Sequence, residues 1–398
     1  MTSPSNPRPK IPRTVWALGF VSLFMDISSE MIHALLPLFL TVGLGASVVV
    51  VGLIEGVAEA TASITKVFSG YLSDRIGRRK PLILVGYVLG ALSKPVFALA
   101  GAPSMVFAAR FADRIGKGLR GAPRDALVAD VTPEAIRGRA YGVRQALDTA
   151  GAFIGPLLAI ALMALFADDM RTVFWFAVIP AGLAVLFVLL GVEDRAAGPE
   201  EKRSRPPIHW ADLRRFNGAF WGVVAIGVVF TLARFSEAFL VLKANDEGLP
   251  LALAPLVLVV MNVIYSLGAY PAGAWSDRAS PTTLLLWGLV ALVLADLALA
   301  LAPGVFGALV GVALWGVHLA LTQGLLAKLV AQSAPADLRG SAFGLFNLAT
   351  GVAMLAASAI AGFLWEGVGP AATFLGGAGF AVLAAALIAL VGRQQSTP

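Results

Sequence analysis

Charged side chains recur at helical spacing inside the long apolar runs of this sequence. In the first run, Asp26, Glu30 and His33 are separated by four and three residues, which places all three on one face of a helix. Charges in apolar surroundings are costly and usually face a partner or a water-filled cavity. Carboxylates in such a place are candidates for carrying protons, because desolvation favours their neutral form.

Other apolar runs carry acidic groups in the same way. Glu55 and Glu59 lie one turn apart in the second run, and Arg144 and Asp148 lie one turn apart in the fifth. The residues that we predict to take part in proton coupling are Asp26, Glu30, Glu55, Glu59 and Asp148.

A basic stripe follows the fourth apolar run. Arg110, Arg114, Lys117 and Arg124 fall within a narrow sector of one helix, with Asp113 beside them, and such a stripe can bind an anionic substrate group. The predicted substrate-binding residues are Arg110, Arg114, Lys117, Arg144, Arg234, Glu237, His318 and Gln323. The alternative is that these charges are mutually neutralising ion pairs that fix helix packing, and we favour that interpretation for Lys66, Lys94, Arg120 and Arg124.

The composition identifies the environment of these charges. The chain has 398 residues, of which 58% are hydrophobic and 14% charged, and its mean hydropathy is +0.82. Soluble domains are about 45–50% apolar and about 25% charged, so this is a membrane protein. The absence of cysteine excludes disulfides, thiolate metal sites and thiol catalysis. We expect no metal ion or cofactor.

Each membrane crossing needs about 20 apolar residues, and the sequence divides into twelve such spans. Residues 193–216 are rich in charge and proline. We therefore predict two six-helix bundles, 1–192 and 217–398, joined by a solvated linker at 193–216. The predicted spans are 14–42, 47–72, 81–100, 104–130, 137–166, 172–192, 217–242, 250–275, 281–302, 304–331, 339–365 and 370–391.

The cations of the connecting segments predict the orientation. Nearly all of them fall on the side of the N-terminus, whereas the other side carries Arg171 and Lys243. The positive-inside rule then places both termini and the linker in the cytoplasm. The pI of about 9.8 follows from this asymmetry, so we expect a lipid bilayer and not nucleic acid as the large partner. The first run is broken by Asp26 and Glu30 and lacks a cleavage site, so we do not expect a signal peptide.

A charged stretch between the second and third runs carries a specific pattern. Residues 70–81 read Gly-Tyr-Leu-Ser-Asp-Arg-Ile-Gly-Arg-Arg-Lys-Pro, and we expect a tight loop at the membrane face. Ser73-Asp74-Arg75 recurs as Ser276-Asp277-Arg278, and Arg137-Gly138 recurs as Arg339-Gly340 within a longer match. Two matches at nearly the same offset indicate duplicated halves, which is typical of transporters.

The pattern of residues 70–80 resembles the loop between helices 2 and 3 of the major facilitator superfamily of transporters. Two further stretches support the resemblance. Residues 114–122 are similar to the family's helix 4 pattern, and Gly151, Gly155 and Pro156 resemble the helix 5 motif of its proton-driven exporters. The final glycine pair of that motif is Ala159-Ile160 here, which weakens the inference of export; close packing at a proline kink is the alternative.

The resemblance covers essentially the whole chain and implies an all-α membrane protein of twelve helices in two pseudo-symmetric six-helix bundles. It implies that helices 1, 4, 7 and 10 line a central cavity. It also implies a conformational latch in which Asp74 docks at the N-terminus of helix 11 and Arg78 reaches Asp130. The residues of this latch are Gly70, Asp74, Arg75, Gly77, Arg78, Arg79 and Asp130.

These observations predict a secondary active transporter that works by alternating access. We expect proton-coupled export of a small organic solute by a monomer in the inner membrane. The alternatives are uptake or export of an anionic metabolite such as a carboxylate, siderophore or organophosphate, or an uncoupled facilitator. No P-loop motif occurs, which argues against ATP as the energy source, and neither H-E-x-x-H nor G-x-S-x-G occurs, so we do not expect an enzyme.

Overall fold

The computed structural model describes residues 10–194, 210–276, 278–335 and 338–395, and this part of the chain is helical without a β-strand. Helices are expected because the bilayer core offers no water to the backbone, so each span must satisfy its own N–H and C=O groups. The predicted linker at 193–216 lies largely outside the described residues, as does Asp277 of the second repeat.

In the described part of the chain, twelve spans, called helices 1 to 12 below, cross between two faces of the bundle, as predicted. Judged by length and composition alone, ten of them are long and apolar enough to cross a membrane. The other two are helix 4, which is rich in charge, and helix 7, which is interrupted. The bounds of helices 1 to 6 are Arg13–His33 continued by Leu36–Leu38 and Phe39–Gly43, then Val48–Ile76, Lys80–Leu99, Pro103–Val131, Arg137–Leu165 and Met170–Gly191. Those of helices 7 to 12 are Gly218–Leu232 with Ala238–Asp246, then Leu256–Ser276, Pro281–Leu301, Gly304–Thr322 with Leu325–Ser333, Arg339–Gly367 and Pro370–Gln395.

Helices 1, 7 and 10, which we predicted to be continuous, are interrupted. Helix 1 breaks after His33, just before Pro37, which cannot donate a backbone hydrogen bond, and it ends in a π-helical turn. Helix 10 breaks at Gly324, whose φ of 76° lies in the left-handed region. Helix 7 breaks at 233–237, where no glycine or proline marks the interruption.

The loop predicted at residues 70–81 is shorter than we expected. Helix 2 continues to Ile76 and is capped by Gly77, whose φ is 72°. Asp74 and Arg75 therefore lie on the last turn of a helix, and only residues 77–79 separate it from helix 3.

The two halves of the molecule pack together near one face. We call the membrane face that carries the two chain ends the terminal face, and the other the opposite face. Near the opposite face, a Cβ on Gly52 of helix 2 would lie 2.3 Å from the Ser358 carbonyl oxygen of helix 11, and the N–H of Val49 donates to Glu366 at 3.0 Å. At the terminal face Gly340 has open space around it and Tyr270 is 85% exposed. The central space therefore opens toward the terminal face.

Candidate substrate and proton site

Helices 2 and 4 are joined by two ion pairs one turn apart. Arg110 Nη2 lies 2.7 Å from Glu55 Oε2, and Arg114 Nη1 lies 2.9 Å from Glu59 Oε1. The side chains of Glu55 and Arg110 are 1% and 3% exposed, whereas that of Glu59 is 36% exposed. Because both the two glutamates and the two arginines are four residues apart, the second ion pair lies one helical turn along from the first. The Glu55–Arg110 pair, called the dry pair below, is thus shielded from water, whereas the Glu59–Arg114 pair faces the cavity.

His33 connects helix 1 to the dry pair. Its Nε2 lies 3.4 Å from Glu55 Oε2, and its Nδ1 lies 3.8 Å from Glu30 Oε2. Helix 1 breaks immediately after this residue. The imidazole therefore stands between two of the predicted proton-coupling carboxylates.

A third ion pair is buried behind the cavity wall. Lys94 Nζ lies 2.9 Å from Asp113 Oδ1 and 3.1 Å from the hydroxyl oxygen of Ser29. Both charged side chains are almost fully buried, so Lys94 fits the packing interpretation made from the sequence.

Asp26 and Asp148 face each other across helices 1 and 5. Both line a cavity of about 410 Å³, and their carboxyl groups lie within hydrogen-bonding reach of each other. Asp148 Oδ1 also lies 3.5 Å from Arg144 Nη1 and 3.7 Å from Arg124 Nη1. Asp148 is thus compensated by two guanidinium groups, whereas Asp26 has a second carboxyl as its neighbour.

The helix 5 motif brings these two carboxyls together. A Cβ on Gly151 would lie 2.5 Å from the Leu23 carbonyl oxygen, and one on Gly155 would lie 2.8 Å from the Ile27 carbonyl oxygen. Pro156 follows within the same helix. Glycine is required here because the backbones of helices 1 and 5 touch beside Asp26 and Glu30.

Two smaller cavities of about 200 and 210 Å³ lie between the halves. Glu30 lines both of these and the larger cavity, and Arg234 and Glu237, which flank the helix 7 break, line the two smaller ones. Lys117 lines the cavities of 410 and 200 Å³. Among the described residues, neither Lys117 nor Arg234 has a carboxylate within 4 Å, so both cations are open to a ligand.

The two predicted site residues of helix 10 lie in different surroundings. Gln323 lines the cavity of 210 Å³. His318 is 0% exposed, its Nδ1 is 2.8 Å from the Gly288 carbonyl oxygen, and its ring stacks on Phe230 at 5.5 Å. His318 therefore has a packing position in this conformation and not the cavity position that we expected.

Polar residues that were not among the predicted site residues also line the cavities. Asn262 and Tyr265, three residues apart on helix 8, line the cavity of 210 Å³ and a larger one of about 570 Å³ between helices 5 and 8. Lys66, assigned to packing, is exposed and lines the cavity of 410 Å³. The spacing of the two helix 8 residues was a usable signal for one polar face.

The predicted latch residues are arranged around Arg79. Arg79 Nη1 bonds Asp74, and its Nε lies 3.2 Å from Asp130 Oδ2, a contact that we had expected from Arg78. Arg75 and Arg78 are exposed, and Gly70 packs against Ala122 of helix 4. Partial burial opposes the charge of Arg79, but its two carboxylate partners outweigh this effect and raise its pKa.

Twelve helices around a polar central cavity define a membrane transporter, and the family model of the Major Facilitator Superfamily matches residues 18–357 and, in a second match, 244–398. The chain belongs to the major facilitator superfamily. The family and fold are those of transporters, which implies a small-molecule substrate, and the protein is an integral membrane protein.

Relatives agree with this assignment. An MFS-type transporter of Methanocaldococcus jannaschii is 28% identical over 390 residues, which cover 96% of each chain. The multidrug resistance protein MdtH of Edwardsiella ictaluri is 29% identical over 266 residues, which cover 66% of this chain and 61% of that one. A crystal structure of a POT family transporter in complex with 5-aminolevulinic acid superposes with a TM-score of 0.76 at 15% identity over 96% of each chain. The last similarity concerns the fold alone.

Proposed function

We propose that the protein exports a small organic solute by proton-coupled alternating access. It acts as a monomer in the inner membrane, with residues 1–192 and 217–398 as the two moving bundles. The terminal face is the cytoplasmic one, because the connecting cations collect there. The name of the relative MdtH supports export, since a membrane transporter confers drug resistance by removing the drug from the cell.

The facing carboxyls of Asp26 and Asp148 carry the proposal of proton coupling. Two ionised carboxylates within hydrogen-bonding reach of each other repel, and a single proton converts the repulsion into a hydrogen bond. Arg124 and Arg144 keep Asp148 anionic, so Asp26 takes the proton. The pair lines a cavity that opens toward the terminal face, so the proton exchanges with water on that side.

The test is transport by the purified protein in proteoliposomes. Candidate solutes are screened by the proton flux that each one causes. Asp26→Asn should abolish accumulation driven by a proton gradient and retain exchange of solute between the two sides. Asp246→Asn, at an exposed position at the end of helix 7, is the matched control and should behave as wild type.

The outcome separates coupled from uncoupled transport. Gradient-driven accumulation that survives in both Asp26→Asn and Asp148→Asn would exclude the carboxyl pair as the coupling site. Solute movement without any proton flux in the wild-type protein would instead identify a facilitator.

A second candidate function, transport of an anionic metabolite, is favoured by the two open cations. Lys117 of the first half and Arg234 of the second both line the cavity of 200 Å³, so one anionic group can contact both halves. Arg114 is neutralised by Glu59, which makes Lys117 the better anion ligand of the stripe. Lys117→Gln and Arg234→Gln should then weaken binding of a carboxylate or phosphate solute. Good transport of cationic solutes by wild type, with affinities unchanged in both variants, would contradict the anionic version.

A further inference from the structure

Asp296 of helix 9 is buried in the second half and does not line the cavities described above. Its exposure is 0%, and neither carboxyl oxygen has a hydrogen-bond partner among the described residues. Its Oδ2 lies 2.8 Å from the point that a Cβ on Gly377 of helix 12 would occupy, and Phe235 Cε1 lies 2.9 Å from the same point. The carboxyl is therefore packed between helix 12 and the aromatic residue at the break of helix 7.

No counter-charge in the described part of the chain compensates this carboxyl. The neighbouring described elements carry few titratable groups: His318 and Lys328 on helix 10, and Arg234 and Glu237 on either side of Phe235. None of them forms an ion pair with Asp296 within 4 Å in the described part of the chain. An unpaired ionised carboxylate in an apolar interior is strongly disfavoured, so the group is neutral and holds a proton.

Two further buried polar groups beside the helix 7 break are also unused. Trp315 is fully buried, its ring centroid lies 5.5 Å from that of Phe235, and its Nε1–H, a donor, has no acceptor among the residues that the structure describes. Nε2 of His318, one turn further on helix 10, is an acceptor because Nδ1–H donates to the Gly288 carbonyl oxygen, and it too has no partner in the described part of the chain. Buried polar groups nearly always have partners. Three unpartnered groups around one helix break indicate that a second arrangement of this region satisfies them.

We propose that Asp296 is a second proton-binding site, which holds its proton in the present conformation and releases it when helix 7 rearranges around Phe235. In the rearranged state the indole N–H of Trp315 donates to the carboxylate and stabilises its charge. Proton occupancy of Asp296 is then linked to which face of the transporter is open. This site is independent of the coupling role proposed for Asp26 and Asp148.

The protonated carboxyl can be observed directly by infrared spectroscopy of the full chain. Wild type should show, at neutral pH, an un-ionised carboxyl band that is absent from Asp296→Asn and retained in the exposed control Asp246→Asn. Asp296→Leu is the second variant, because an apolar side chain suits an apolar site should the amide fail to fold. A wild-type spectrum whose un-ionised carboxyl bands are all retained in both Asp296 variants would overturn the proposal.

The pH dependence of the folding stability is a second test of whether Asp296 holds a proton. The folded state keeps the proton while the unfolded chain releases it above about pH 4, so raising the pH should destabilise wild type relative to Asp296→Asn. The ratio of their unfolding equilibrium constants should change by up to about tenfold per pH unit. The gap in melting temperature should thus widen between about pH 5 and pH 8. A gap that stays constant with pH would show that Asp296 does not hold the proton.

The conformational link is tested by distances across the terminal face. The chain contains no cysteine, so Gly142→Cys on helix 5 and Tyr270→Cys on helix 8 give one labelled pair at exposed positions. Raising the pH should shift wild type away from the open terminal face, and Asp296→Asn should weaken this response. An identical pH response in the two proteins would refute the link to helix 7.

Discussion

Removal of Arg110 tests whether the dry pair on helices 2 and 4 is structural. Arg110→Met leaves the Glu55 carboxylate, which is 1% exposed, with His33 as its remaining ion-pair partner in the described part of the chain. Removing one partner of a buried ion pair typically costs about 3–5 kcal/mol, which is roughly two to four orders of magnitude in the unfolding equilibrium. Glu55 Oε1 and Arg110 Nε already lack hydrogen-bond partners among the described residues. The pair is thus incompletely satisfied, and replacing both residues, as in Glu55→Leu with Arg110→Met, should recover most of the loss.

The assay is thermal unfolding in detergent, followed by transport of the variants that fold. Arg114→Met, one turn along the same helix, is the matched control, because its partner Glu59 is 36% exposed and cavity water can solvate the remaining charge. The control should lose less stability than Arg110→Met. Equal losses in the two variants would refute the argument from burial. A stable double variant that has lost proton coupling would instead return Glu55 to the coupling residues.

Three further predictions concern the latch, the helix 5 motif and the opposite face. Asp74→Asn should favour the state open at the terminal face, because the predicted docking of Asp74 at the start of helix 11, at up to ~2 kcal/mol, would shift the balance about thirtyfold. Wild-type distances across the terminal face together with wild-type transport would exclude the latch. Gly155→Ala should destabilise the fold by about 1–3 kcal/mol by forcing helix 1 away, whereas Gly182→Ala, which meets open space, should not, as melting temperatures will show. Hydrogen bonds from Lys243 and the Gly304 N–H lower the pKa of Glu247 in the folded protein. The ionised carboxylate therefore stabilises the fold at pH values above its unfolded-state pKa, and this stabilisation is lost as the pH falls through its folded-state pKa. Glu247→Gln should therefore melt below wild type at pH 7 and approach it in acid, and a pH-independent difference would contradict this.

Much of the architecture was predictable because the bilayer constrains it strongly. Twelve apolar runs of sufficient length, an internal repeat and the motif at residues 70–81 together predicted two bundles of six helices. Each observation is local in the sequence, and a backbone in lipid has few alternatives to the helix. The interruptions of helices 1, 7 and 10 were only partly predictable. Gly324 and Pro37 offered signals for two of them, but the break at 233–237 contains neither residue type.

The roles of individual charges were less predictable. Helical spacing placed Arg110, Arg114 and Lys117 on one face of helix 4, and this much follows from the 3.6-residue period. Spacing does not say that Glu55 neutralises the first of them while Lys117 stays open to the cavity. The same limit applies to Arg78 and Arg79, which are adjacent cations, so only the turn at Gly77 decided which one reaches Asp130.

The sequence by itself therefore determined the class of protein, the number of spans, the duplicated halves and the list of charges that cross the membrane. These properties depend on composition and on contacts within a few residues of chain. Only the tertiary structure decided that Asp26 meets Asp148, that His318 is withdrawn from the cavity and that Asp296 has no partner among the described residues. Each of these depends on which faces of distant helices touch, and a shift of one turn would exchange paired charges for free ones.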